Sequence, residues 1–303
     1  MFTTFAGRLR LVAALGALVS AAALLTGCGK RGSEPSPSAR PASAHARWEV
    51  LPPAPIRVDA YLTTAWTGKE LVVSGVCCTA SDGALLRAKN VAAAYDPASG
   101  TWRELPRPLG DTNDPVARTA VWTGGEMLLW GAFKATAYNP RSNRWRLLPP
   151  APTGHGMAVW TGHEMIGWGG GCCGDAWSGG SAYDPAANSW RTLAPSPLAP
   201  SQHPLGAWTG RRLILVVSGV DPDSGKPYPA SLARAAAYDP RTDTWRRLPA
   251  LPPGAGGTAT WDGRELLVAG GSRAAFAFDP GAERWRRLAP APSAGPFSSA
   301  IWT

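Results

Sequence analysis

The chain has 303 residues, enough to bury a substantial core, and its 35 glycines, 30 prolines and 15 tryptophans describe a turn-rich, aromatic-rich body rather than a disordered one. Its formal net charge is +9, and the first 47 residues carry six bases and one acid, so residues 48–303 hold +4, too little to mark a nucleic-acid binder. Nowhere do 20 apolar residues run together, which excludes an ordinary membrane-spanning helix.

Residues 1–27 read as a leader to be set aside from the fold. Arg8 and Arg10 precede a fifteen-residue apolar run, 11–25, which ends in Leu25-Thr26-Gly27-Cys28. That ending resembles a bacterial lipobox. The resemblance implies cleavage before Cys28 and lipidation of Cys28, with acyl chains holding the protein on a membrane surface. Residues 28–47, rich in Pro, Ser and Ala and without hydrophobic period, read as a semi-extended tether. The expected address is the bacterial cell envelope, outside the cytoplasm.

From residue 48 the sequence repeats, and a repeat takes precedence over any single element. One row of tryptophans opens a short motif: Trp66-Thr67-Gly68, Trp122-Thr123-Gly124, Trp160-Thr161-Gly162, Trp208-Thr209-Gly210, Trp261-Asp262-Gly263 and Trp302-Thr303. A second row, Trp48, Trp102, Trp145, Trp190, Trp245 and Trp285, alternates with it, and members of the first row stand 38–56 residues apart. Each unit reads as four strands. The first leads into Trp-Thr-Gly. The second is apolar and ends at glycine (Gly75, Gly131, Gly169, Gly219, Gly270). The third is built of small residues and ends at Tyr95, Tyr138, Tyr183, Tyr238 or Phe278. An Asp-Pro turn (Asn139-Pro140 in the second unit) then leads to a strand holding Trp-Arg. Asp before Pro favours a turn because its carboxylate bonds the backbone two residues on.

Four short strands per unit predict an all-β propeller with five complete four-stranded blades, at about 56–106, 110–150, 153–195, 200–249 and 255–290. The double glycines Gly169-Gly170 and Gly270-Gly271, the Tyr-Asp-Pro sites at Tyr95, Tyr183 and Tyr238, and the tryptophans that follow resemble the kelch-repeat family over residues 48–303. Gly75-Val76, Gly131-Ala132 and Gly219-Val220 keep only one glycine. The resemblance implies a kelch-type propeller, in which the two chain ends often share a blade. Here a strand at Trp48 and another ending at Thr303 would form a partial sixth. The expectation is a sixth blade cut short, and a genuine five-and-a-fraction propeller is the alternative.

Strand alternation sends the Trp-Thr-Gly and Asp-Pro turns to one face and the long loops 76–90, 109–118, 171–180 and 220–232 to the other. Binding residues concentrate on loops held by a rigid scaffold, so the long-loop face is the expected site. Cys77-Cys78 and Cys172-Cys173 follow the glycines of the first and third units. Neighbouring Cα atoms lie about 3.8 Å apart, tight for a disulfide, in an oxidising compartment. Vicinal bridges are the favoured reading of Cys77, Cys78, Cys172 and Cys173. A cross-link between the two loops and a thiolate metal site are the others, although no CxxC spacing accompanies the pairs. Tyr61, His155 and His203 each precede their repeat tryptophan by five residues, and with Trp177 they form the candidate ligand-binding set. The plain reading of the histidines is structural, since Gly154-His155 looks like the Gly-His of kelch-like inner strands. Glu70, Glu126, Glu164 and Glu265 read as turn residues rather than acid–base pairs. Arg103, Arg146, Arg191, Arg246 and Arg286 read as outward charges guarding the last strand, an exposed edge, or as a basic rim for anionic envelope polymers.

No nucleophile motif, phosphate loop or metal-ligand spacing is present, so no catalytic residue, metal or cofactor is assigned. The favoured function is a monomeric, lipid-anchored, non-catalytic binding module for a glycan or an envelope protein, with no nucleic-acid partner. A scaffold without a ligand of its own is a further reading. The alternative is a carbohydrate-active enzyme. Kelch propellers include galactose oxidase and a sialic-acid mutarotase, and copper enters only there, with His155, His203, Tyr61 and Cys77 or Cys172 as ligands and the second tyrosine unassigned.

Overall fold

The computed structural model describes residues 51–77, 88–110, 119–131, 134–154, 156–171, 174–254, 256–270 and 272–290. The chain divides into two compact units, Met1–Pro53 with Thr303, and Ala54–Trp302. Of the first, only 51–53 are described, and they are irregular. The expected leader, Cys28, the tether, Trp48 and Trp302 lie outside the described residues. No helix occurs among the described residues, and none is long and apolar enough to cross a membrane.

The described residues of unit Ala54–Trp302 form five four-stranded antiparallel sheets, each with its strands in chain order. The first holds β1 (Ala60–Trp66), β2 (Leu71–Cys77), β3 (Lys89–Asp96) and β4 (Thr101–Glu104). The second holds β5 (Thr119–Trp122), β6 (Met127–Trp130), β7 (Ala135–Asn139) and β8 (Arg144–Leu147). The third holds β9 (Met157–Trp160), β10 (Met165–Trp168), β11 (Gly180–Asp184) and β12 (Ser189–Thr192). The fourth holds β13 (Leu205–Trp208), β14 (Leu213–Val216), β15 (Ala235–Asp239) and β16 (Thr244–Arg247). The fifth holds β17 (Gly257–Trp261), β18 (Leu266–Gly270), β19 (Phe276–Asp279) and β20 (Arg284–Arg287). The first strands of successive sheets stand beside one another, β1 by β5, β5 by β9, β9 by β13 and β13 by β17. Five such sheets in sequence order are consistent with a propeller-like blade architecture.

Local chemistry explains the turns. Thr67 Oγ1 accepts the Glu70 N–H at 2.8 Å and donates to the Glu70 carbonyl at 3.1 Å, which closes the turn from β1 to β2. Thr123, Thr161 and Thr209 do the same, and Asp262 takes over acceptance in the fifth sheet. In the turn from the third strand to the fourth, Asp96, Asn139, Asp184, Asp239 and Asp279 each accept an N–H two residues on, at 2.8–3.1 Å. The residue that then adopts positive φ is Gly100, Asn143, Asn188, Asp243 or Glu283. The glycines ending the second strands divide by cause. Gly169, Gly219 and Gly270 have φ of 71°, 71° and 114°, whereas Gly75 makes room, since a Cβ there would lie 2.4 Å from Val58 Cγ1.

Period-two alternation feeds a core between each pair of neighbouring sheets. On β6, Met127 and Leu129 join Val72, Ala92 and Ala94 of the first sheet, while Leu128 and Trp130 join Met165 and Tyr183 of the third. Ile166 and Trp168 meet Leu213, Leu215 and Tyr238, and Ile214 and Val216 meet Leu266, Val268 and Phe278. Each such large apolar side chain contributes about 1.5–3 kcal/mol on burial. The third strands lie deep between neighbours, which explains their run of small residues: Ala92, Ala93 and Ala94 are all buried.

The repeated charges on the last strands, which end each sheet, also serve the joints between sheets. Arg103 grips Glu70 of its own sheet at 2.9 and 2.8 Å and reaches Tyr138 Oη of the next at 3.4 Å. Tyr138 Oη in turn donates to Asn143 at 2.8 Å. Arg146 links Glu126 to Tyr183, and Arg191 links Glu164 to Tyr238. The fourth sheet has Arg212 where the others have glutamate, and Arg212 turns to Asp239. Arg246 consequently pairs forward with Glu283 of the fifth sheet, where Phe278 replaces the tyrosine. Trp145, Trp190, Trp245 and Trp285 stack on the aromatic opposite them, with ring centroids 4.8–5.0 Å apart. Their indole N–H groups bond carbonyls at the exit of the preceding sheet, Pro106, Pro149, Ala194 and Pro249.

These pairings set an acid response. The hydrogen bond from Arg103 holds the Glu70 carboxyl below the usual range, and that from the Tyr238 hydroxyl does so for Asp243. Carboxyls whose folded pKa is depressed contribute stability above the unfolded values, about 3.9–4.3, and lose it as pH falls through the folded ones. The melting temperature is therefore expected to stay level from pH 7 to about 5 and to fall steeply below about 4. Glu70→Gln should flatten that acid limb, and an unchanged limb in calorimetric scans would remove Glu70 from the account.

Candidate functional site

The long loop of the third sheet, between β10 and β11, folds against the segment leading into β13. Gly170 N–H bonds the Ser201 carbonyl at 2.8 Å, Trp177 N–H bonds the Gly170 carbonyl at 2.9 Å, and Ser201 N–H bonds the Trp177 carbonyl at 3.1 Å. Gln202 Nε2 adds a bond to the Asp175 carbonyl at 2.7 Å. Behind the ring of Trp177 lies Gly154, where a Cβ would come 2.0 Å from Trp177 Cζ3. Gly156 lies equally close to Gln202 and Pro204: a Cβ there would be 2.6 Å from the Gln202 carbonyl oxygen and 2.7 Å from Pro204 Cδ. The loop of the fourth sheet closes the cluster, with Asp223 beside Gly174. That second loop is itself pinned: Asp221 accepts from Ser224 N–H at 2.7 Å and from the Tyr228 hydroxyl at 3.0 Å. These bonds to Ser224 and Tyr228 keep the Asp221 carboxyl below its ordinary pKa.

The result is a platform with a half-buried tryptophan and exposed polar groups at its margin, Asp175 and His203 among them. Of the expected ligand-binding set, Trp177 and His203 belong to this platform. Tyr61 belongs to the first sheet, in β1, where it holds φ of 55° at a break in register between Ala60 and Thr63. Such a backbone is uncommon for an aromatic residue. His155 lies outside the described residues, although Gly154 and Gly156 on either side of it pack into the platform. Cys77 is buried at the end of β2, opposite Lys89, and Cys78, Cys172 and Cys173 lie outside the described residues. Among the described residues no three His, Cys, Asp or Glu side chains group as a metal site.

Gln202, Asp175 and Asp223 were not expected from the sequence. They fall in irregular segments that no repeat position marks, and only the meeting of two loops brings them together. A second concavity lies at the other end of the sheets, between the short turns of the third and fourth, and Trp208 lines it.

Fold and platform together define an all-β repeat protein whose described residues form five antiparallel four-stranded sheets, with a loop platform at one end of the third and fourth. No protein-family model matches the chain, and a search of curated proteins found no match.

Proposed function

We propose that this chain is a kelch-type β-propeller, lipid-anchored at Cys28 in a bacterial cell envelope, that binds a glycan or an envelope protein without catalysis through its long-loop face. The observation that carries the reading is the platform at Trp177. Its backbone is tied at Gly170 and Ser201, its ring is backed by Gly154, and its rim is polar. A pre-ordered aromatic surface of this kind binds with little ordering cost and suits the apolar face of a sugar ring or a partner's anchor residue. Side-by-side first strands and inter-sheet relays support the propeller reading, and the lipobox-like 25–28 supports the anchor.

The test takes the chain from membranes. Intact mass beginning at a lipid-modified Cys28 is expected, and an unmodified chain would defeat the anchor. On the same sample, arrayed peptidoglycan fragments and envelope polysaccharides, with co-purification of envelope proteins, are expected to give saturable capture. Trp177→Ala should weaken that capture about tenfold, the scale of a lost aromatic anchor. Undiminished capture by the variant would place the partner elsewhere.

A further inference from the structure

The repeat is broken most sharply at the fourth sheet. The two residues after Trp-Thr-Gly, or Trp-Asp-Gly, are Lys69-Glu70, Gly125-Glu126, His163-Glu164 and Arg264-Glu265, but Arg211-Arg212 in the fourth unit. The residue after the turn proline is Ala98, Arg141, Ala186 or Gly281, and Arg241 in the fourth. Only the fourth unit carries arginine in both turns. The scaffold does not need them. Thr209 closes its turn as the other threonines do, and Arg212 is engaged by Asp239 at 3.3 Å. The exposed guanidinium groups of Arg211 and Arg241 have no hydrogen-bond or ion-pair partner among the described residues.

Both line a cleft of about 570 Å³ between the turns of the third and fourth sheets. Half-buried Trp208 lies on the same side, and His163, Asp184 and the small Ala186 face it from the third sheet. The carboxylates here are already spent. Glu164 is neutralised by Arg191 at 2.7 Å, and Asp184 accepts the N–H groups of Ala186 and Ala187 at 2.8 and 3.2 Å. With Arg191 counted against Glu164, the two arginines leave the cleft one positive charge in excess over Asp184. An indole surface packs on the C–H face of a sugar ring, and a guanidinium fork takes a carboxylate or phosphate with paired, charge-assisted bonds.

We infer that this cleft binds an acidic saccharide, a sugar residue carrying a carboxylate or a phosphate, at the end of the sheets opposite the long loops. Trp208 receives the ring, and Arg211 and Arg241 receive the anion. The site is independent of the Trp177 platform.

Titration calorimetry of the full chain tests it, with trigalacturonate and glucose 6-phosphate as anionic probes and neutral trigalactose as control. Saturable binding of an anionic probe is expected, and the tighter of the two distinguishes carboxylate from phosphate as the source of charge. Arg211→Gln with Arg241→Gln should weaken it about tenfold or more, with the melting temperature unmoved because neither side chain is engaged. Arg264→Gln, at the equivalent turn of the fifth sheet, and Trp177→Ala should leave it unchanged. Equal affinity for trigalactose, full binding by the double variant, or no heat with either anionic probe would each overturn the proposal. Loss of binding in Trp177→Ala alone would transfer the ligand to the other face.

Discussion

Trp130→Ala is expected to destabilise the fold by about 4 kcal/mol. Trp130 is fully buried on β6 and faces the third sheet, where its ring centroid lies 4.5 Å from that of Trp190. The neighbouring sheet is shaped to it: a Cβ on Gly167 would fall 2.3 Å from Trp130 Cζ3. Removal of the indole leaves a void that two sheets cannot close without shifting register, so the transfer and cavity costs add. In a unit of this size the loss corresponds to a fall in melting temperature of roughly 10 °C. The reciprocal change is informative. Gly167→Ala alone should overpack the joint, and in the Trp130→Ala background it should cost much less, because its methyl then enters the void. Additive losses in a double-mutant cycle would mean that the two positions do not touch.

Gly206→Ala should cost about 3 kcal/mol, although it adds a single methyl group. The position a Cβ would take lies 2.3 Å from the Ile214 carbonyl oxygen and 2.7 Å from Leu215 Cδ2. A flexible side chain would move aside, but a carbonyl held in the ladder between β13 and β14 has nowhere to go. Gly210, four residues on, is the control. Its φ is +86° and nothing lies within 4 Å of a Cβ there, so Gly210→Ala meets only backbone strain, about 1 kcal/mol. Denaturant midpoints that rank the two variants the other way would contradict the close approach at Gly206.

The turns were legible in the sequence because their causes are local. Thr67 and Glu70, or Asp96 and Ala98, are three and two residues apart, so each motif carries its own hydrogen bonds wherever it is placed. The second strands were legible through their unbroken apolar runs, and the third through small residues ending in an aromatic. The glutamates were rightly read as turn residues, but the part that the arginines play between sheets was not read. Arg103, Arg146 and Arg191 reach tyrosines 35 to 47 residues ahead, and no spacing within one unit announces a partner in the next. The sequence also carried an unread signal, Arg211-Arg212 in place of a residue and glutamate, which stands out once the units are aligned.

By itself, then, the sequence determined the all-β class, the five complete four-stranded units seen among the described residues, the place of their turns, and the tryptophan and tyrosine rows that make the units adhere. Turn chemistry acts over two to five residues, and strand alternation over two, and both are written in order along the chain. Tertiary structure alone decided which loops meet. It tied Trp177 to Ser201, set His163 and Asp184 of the third sheet opposite Arg211 and Arg241 of the fourth in a cleft, and gave Arg103, Arg146 and Arg191 their tyrosines. Those contacts join residues tens of positions apart across the gap between sheets, where packing of whole sheets rather than local propensity sets the distance.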